Sequence, residues 1–251
     1  MSFTLKNHVA LVTGSTKGLG KQIAFALGKA GAKVCLNYAN DWKTAEATFT
    51  EFQDAGCAGI MVRADVTDAG QIQSMISEIA SKLGNVDILV VNATPDQPQK
   101  PIEEYDWDFY QLMLDFFVKS PFLLTRAVLK EMKQSRWGRI INIGSEVYQT
   151  AVPNFSAYVA AKGGQIGWTR SMSKELAPFG ITVNIVNPGW IPVERHQNDP
   201  QAMKDAYFAD IPAGRWGVPK DVADAVLYFA SEESAFVSGQ TLCVNGALSP
   251  W

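Results

Sequence analysis

Tyr158 and Lys162, in the stretch YVAAK, stand four residues apart, a spacing that sets a phenol and an ammonium on one face of a helix. A free phenol ionises at about pH 10, so a tyrosine that acts as a base at neutral pH needs a shift of about 3 units, or ~4 kcal/mol, part of which a neighbouring cation supplies. Acting as an acid, it needs only to keep its proton. Ser145 lies upstream, where the apolar run GRIINIGS ends. Taken singly these are a strand-end cap, a packed aromatic and a solvated lysine. Taken together they form a proton-transfer set, provided the rest of the chain supplies an electrophile and a source of hydride.

The elements that must position this set follow from the hydrophobic pattern. Seven short apolar, β-branched runs read as strands: His8–Thr13, Lys33–Asn37, Gly59–Arg63, Asp87–Val91, Arg139–Ile143, Ile181–Val186 and Gln240–Val244. They lack polar alternation, as strands covered on both faces do. Helical patterns lie between them at Leu19–Ala30, Thr44–Ala55, Ala69–Leu83, Tyr105–Gln134, Phe155–Ala177 and Pro219–Ser231. The first three are followed by Gly31, Gly56 and Gly84, residues suited to ending a helix. The alternation predicts an α/β fold: a single doubly wound, parallel, seven-stranded sheet with helices on both faces, Rossmann-like, in one domain over residues 1–251. The irregular stretch at about 190–215 reads as a substrate-covering insertion with a short helix, set where open α/β sheets keep their ligand crevice.

TGSTKGLG, Thr13 to Gly20, follows the first strand and opens the first helix. Gly14, Gly18 and Gly20 allow a tight turn and close backbone approach, and the helix start offers free N–H groups to a pyrophosphate. Ser15, Thr16, Lys17 and Leu19 complete this dinucleotide site. NAD-preferring sites carry an acid at the end of the second strand. Here that strand runs CLNYAN, with Tyr38 at the adenosine end and no acid before Asp41. The absent acid and the base Lys17 favour NADP(H) over NAD(H).

In these features the chain resembles the short-chain dehydrogenase/reductase family over essentially its whole length. The motifs are TGSTKGLG, Ala64-Asp65-Val66, Asn92-Ala93, the Ser145…Tyr158…Lys162 set and Asn187-Pro188-Gly189. The resemblance implies a hydride transfer between a nicotinamide cofactor and a carbonyl or secondary alcohol. Tyr158 would be the general acid or base, Ser145 would hold the substrate oxygen, and Lys162 would bond the nicotinamide ribose. Asp65 and Val66 would meet the adenine, Asn92 and Ala93 would line the cleft, and the backbone of Pro188, Gly189 and Ile191 would meet the carboxamide. Glu146, Tyr148, Phe155 and Trp190, with the segment near Glu194, Arg195 and His196, are the expected substrate pocket. The resemblance also implies a homotetramer or homodimer, and the apolar excess on the Tyr105–Gln134 helix fits either a subunit interface or core.

Four positions depart from the family pattern. The helix before the serine strand places Phe117 where the family has an Asn that holds a water linking the lysine to solvent; a phenyl ring cannot do this. VNAT, with Val91 and Thr94, replaces NNAG, and Val193 stands where a Thr commonly bonds the carboxamide. These losses sustain an alternative, a catalytically impaired dinucleotide-binding regulatory protein. A methyltransferase would leave Tyr158 and Lys162 unexplained.

Composition narrows the field further. A net charge of −3 without a basic run argues against nucleic acid as a partner, and no apolar stretch is long enough for a membrane span. Three scattered cysteines and two histidines suggest neither a disulfide framework nor a metal site. The start of the chain, MSFTLKNHVALVTG, enters strand-like sequence with no signal pattern. A cytoplasmic enzyme of a small-molecule substrate is the expectation.

Overall fold

The computed structural model describes residues 3–250. Seven strands, β1 (Val9–Val12), β2 (Lys33–Tyr38), β3 (Gly59–Arg63), β4 (Ile88–Val91), β5 (Gly138–Ile143), β6 (Ile181–Pro188) and β7 (Thr241–Val244), form one sheet. Its order is β3-β2-β1-β4-β5-β6-β7, and every pair is parallel. Side chains along a strand point to alternate faces. On β1, Ala10 and Val12 therefore join the layer built by Ile23, Leu27, Val226 and Phe229. Val9 and Leu11 face the opposite layer of Ile72, Ile79, Leu124 and Val128. Full burial of such a side chain stabilises the fold by about 2 kcal/mol. A run with no polar alternation is thus what a two-sided sheet demands.

One layer holds α1 (Gly18–Lys29), α2 (Trp42–Asp54) and α9 (Pro219–Ala230); the other holds α3 (Ala69–Lys82), α4 (Trp107–Leu114), α5 (Ser120–Ser135) and α7 (Ser156–Leu176), with a one-turn helix, α6 (Val147–Thr150), following β5. The chain leaves β1 toward β2 on one side and β4 toward β5 on the other. This reversal opens a crevice at the carboxyl ends of β1 and β4. The insertion carries a 3-10 turn at Glu194–His196 and a short helix, α8 (Gln201–Ala209). Among the described residues no helix is long and apolar enough to cross a membrane.

The long helix expected over Tyr105–Gln134 is not uniform. It begins at Trp107 because Asp106 caps it, accepting from the Phe109 N–H at 2.8 Å, while Tyr105 uses its hydroxyl on the Pro98 carbonyl at 2.7 Å. Between α4 and α5 it widens into a π turn, Asp115–Lys119, closed by the Ser120 N–H on the Asp115 carbonyl. Pro121 follows at once; lacking an N–H, it cannot bond the Phe117 carbonyl one turn back. Such widened turns concentrate at functional sites, and this one carries Phe117.

Candidate active site

At the crevice the glycine turn is held from beneath. Asn37, at the end of β2, accepts from the Gly14 N–H at 3.1 Å and donates to the Ala64 carbonyl at 3.0 Å. Ser15 is fully buried, with its hydroxyl on the Val12 carbonyl at 2.7 Å and accepting from the Asn37 N–H at 3.0 Å. Its side chain therefore shapes the turn and faces away from a ligand. Gly14 and Gly18 have φ of 58° and 55°, a region where a side chain is strained. A Cβ on Gly14 would also sit 2.9 Å from the Ala93 Cα. Asn92 closes the other wall, donating to the Thr13 and Gly14 carbonyls at 2.9 and 3.0 Å.

Asp41, Asp68 and Asp106 cap α2, α3 and α4, while α7 and α8 have no side-chain cap. Like these two, α1, which starts after Lys17 at the glycine turn, has no side-chain cap. Its first-turn N–H groups are left for an anion, which is what a dinucleotide pyrophosphate requires. Beside them lies a cavity of about 430 Å³ lined by Lys17, Lys21, Lys43, Thr44, Glu51 and Glu194. Lys21 is paired with Glu51 at 2.7 Å, whereas Lys17 and Lys43 make no close ion pair among the described residues and act at longer range on the Asp41 carboxylate. Tyr38 is buried against Trp42, their rings 5.9 Å apart. Asp65 is exposed, its carboxylate folded onto Thr67 at 2.7 Å, and Val66 is buried beneath it.

At the other end of the crevice, β5 delivers Ser145 and α7 delivers Tyr158 and Lys162. The Tyr158 ring packs against Phe117 at 5.3 Å and Phe155 at 4.9 Å, yet its hydroxyl interacts with Ser145. Burial raises the phenol above its ordinary range, while Ser145 and the charge of Arg195 pull the other way. The Lys162 ammonium is buried as well. It donates to the Ile143 carbonyl at 2.7 Å and to Gln165 Oε1 at 3.1 Å, and it lies 3.8 Å from the centre of the Phe117 ring. Burial, and then the Arg195 charge, hold its pKa well below the usual lysine range. A serine and a phenol thus meet at the end of β5, with a buried ammonium 5.6 Å from the centre of the phenol ring.

A family model described as enoyl-(acyl carrier protein) reductase matches residues 14–249. The 3-oxoacyl-[acyl-carrier-protein] reductase FabG of Haemophilus influenzae is 39% identical over 247 residues, 97% of this chain and 99% of that one. The chain belongs to the short-chain dehydrogenase/reductase family. It is an NAD(P)-dependent oxidoreductase, and others of its relatives cover it just as fully. FabG of Vibrio cholerae is 39% identical over 97% of this chain and 98% of its own. A putative gluconate dehydrogenase from Agrobacterium tumefaciens superposes with a TM-score of 0.93 at 33% identity, covering 100% of both chains. A gluconate 5-dehydrogenase from Burkholderia cenocepacia, solved with NADP and tartrate, gives 0.90 at 34% identity over 98% and 97%.

Within this oxidoreductase fold the departures have visible surroundings. The phenyl face of Phe117 meets the ammonium, a contact worth about 2 kcal/mol when desolvated. Gln165 was missed by sequence reasoning, although three residues beyond Lys162 is the same helix face. Val193 turns its N–H to His196 Nδ1 at 3.2 Å. Thr94 bonds the Pro95 carbonyl at 3.2 Å and receives the Gln97 amide.

Among the expected pocket residues, Tyr148 is 42% exposed and Phe155 and Trp190 are half-buried. Glu146 differs: it is buried at 5% exposure, and both carboxylate oxygens are engaged, by Tyr207 and Asn245. Its carboxylate lies behind the pocket wall, not on it, because the insertion brings Tyr207 down onto it. Tyr207 is a second residue that the sequence did not single out. Pro188 and Ile191 are buried, and the Gly189 N–H is bonded to the Val244 carbonyl at 3.0 Å.

Proposed function

We propose that this reductase transfers a hydride between NADP(H) and a small carbonyl or secondary-alcohol substrate, with Tyr158 as general acid in reduction and general base in oxidation. The observation that carries this reading is the phenol of Tyr158 beside Ser145 with Lys162 one turn on. Ser145 holds the substrate oxygen. Tyr158 gives that oxygen a proton as the alcohol forms, or removes it as the alcohol is oxidised. Lys162, held by Ile143 and Gln165, favours the ionised phenol through its charge. When bound, the nicotinamide supplies or takes the hydride. The free N–H groups of α1 hold the pyrophosphate, and Tyr148, Phe155 and Trp190 wall the substrate.

The relatives act on 3-oxoacyl groups or on gluconate, so the test is a panel of 3-oxoacyl thioesters, sugar acids and simple ketones with NADPH and NADH. Consumption of NADPH with one class is expected. Binding of NADPH without consumption across the panel would overturn the assignment.

NADPH preference rests on Lys17 and Lys43, which flank the cavity beyond β2 where NAD sites carry an acid. Replacing both with Ala is expected to lower kcat/KM for NADPH about 30-fold relative to NADH, the loss of two charge-assisted contacts. An unchanged ratio sinks the preference.

A second reading, an impaired dinucleotide-binding regulator, is favoured by Phe117, with Thr94 and Val193 beside it. Gln165 and Ile143 supply the ammonium with polar partners that the phenyl ring does not, so Phe117→Asn is expected to leave turnover within about threefold of the parent. A rise beyond about tenfold, ~1.4 kcal/mol of barrier, would mean that the parent lacks a working proton route. Exposed Trp107 and Phe122 on α4 and α5 support assembly as a homotetramer or homodimer, and the cytoplasm fits a small-molecule reductase.

A further inference from the structure

Glu146 is the one buried acidic side chain among the described residues, and distant parts of the chain meet on it. Tyr207, from α8, donates its hydroxyl to Oε1. Asn245, just beyond β7, donates to Oε2 at 3.0 Å and also reaches Ser249 Oγ at 2.7 Å. The backbone N–H of Glu146 donates to the Pro188 carbonyl at 3.1 Å. The Tyr207 oxygen in turn accepts from the Trp190 N–H at 2.7 Å. A Cβ on Gly189 would lie 2.5 Å from that oxygen, so the glycine keeps the place where Tyr207 docks.

The helix that carries Tyr207 has little else to hold it. None of its residues from Gln201 to Ala209 is buried, and no side chain caps its start. A nine-residue helix is unstable on its own. Its other support is ring packing, Tyr207 stacked on Trp216 at 5.7 Å and edge-on to Trp190 at 5.4 Å, and Phe208 at 5.7 Å from Trp216, with Lys204 donating to the Gln197 carbonyl at 3.2 Å. The carboxylate is under opposite pressures. Burial costs its charge hydration; Asn245 offsets part of that cost from beyond β7, and Tyr207 adds its donor only while α8 is docked. Lifting α8 would rehydrate the carboxylate, so the docked and lifted states each have something in their favour.

We propose that Tyr207 and Glu146 form a latch that holds α8 closed over the crevice and, through Glu146 and Trp190, fixes the serine-bearing loop against the Pro188–Trp190 turn. Glu146 is then a positioning residue, and the latch rests on the reading of Ser145, Tyr158 and Lys162 given above. It acts through the docking of α8 rather than by touching substrate.

Backbone hydrogen exchange on the full chain, with and without NADPH, tests the latch without requiring turnover. Tyr207→Phe keeps the ring but removes the hydroxyl, and is expected to speed exchange in residues 201–209 about tenfold or more while β1, β4 and β5 keep their protection. Glu146→Gln retains an acceptor for Tyr207, so α8 should exchange within about threefold of the parent. The double variant should be no faster than Tyr207→Phe alone, because one interaction is lost once. With a turned-over substrate, Tyr207→Phe should raise KM about tenfold and leave kcat within about threefold. Unchanged exchange in α8, or equal acceleration in α8 and the central strands, would overturn the latch. Either result stands whether or not any carbonyl compound is turned over, so it is separable from a failure of the oxidoreductase reading.

Discussion

Replacing Tyr158 with Phe is expected to lower kcat about a thousandfold, within the range that general acid–base groups contribute, while NADPH still binds. The substitution removes one oxygen and keeps the ring, so the packing on Phe117 and Phe155 survives. Folding stability should change by no more than about 1 kcal/mol, the worth of one hydrogen bond. Tyr158→Ala, by contrast, would empty a buried ring site and cost about 3–5 kcal/mol. The pair of variants thus separates chemistry from architecture. The raised phenol pKa sets the sign of the pH dependence in the parent enzyme. The proton is in place at neutral pH, so reduction should hold steady there and fall only on the alkaline side. Oxidation needs the ionised phenol and should climb as pH rises. Steady-state rates in both directions, with NADPH titrations and thermal melts of each variant, check all of this. Turnover by Tyr158→Phe within about tenfold of the parent would remove Tyr158 from its role.

Lys162→Met should cost turnover about a hundredfold or more, the lower part of the same range, with little loss of stability. Met has similar length and fills the space, but it carries no charge to favour the phenolate. Two opposing terms decide stability. The Ile143 carbonyl and Gln165 Oε1 lose their donor, a cost of about 1–3 kcal/mol. Removing a buried ammonium relieves a desolvation penalty of several kcal/mol, partly offset in the parent by the Phe117 ring. The net effect on Tm should be close to zero or positive. A variant that loses activity only by unfolding, or that turns over within about threefold of the parent, would show that the charge of Lys162 does not act on Tyr158.

The sheet was legible in the sequence because its strands are covered on both faces, and this removes polar alternation from every run. Boundaries of six of the seven strands differ from expectation only by a residue or two, and those of β3 coincide. The helix before the serine strand was less legible. Its apolar pattern continues through Asp115–Lys119, and hydrophobic periodicity does not register one extra residue in a turn. Pro121 was the available sign. Ser15 was assigned to the cofactor from its place in the motif, but its hydroxyl faces inward because Asn37 and Val12 take it.

By itself, the sequence determined the alternation of strands and helices along the chain, the glycine turn before α1, and a phenol and ammonium sharing a helix face. All of these are local: a few consecutive residues and a helical or strand period decide them. Tertiary structure alone decided that Gln165 and the ring of Phe117 surround Lys162, and that Tyr207 reaches across 61 residues of chain to Glu146. Such contacts form between segments whose separation in sequence carries no period. Only the packed fold, by excluding water around a buried charge, requires those partners to be there.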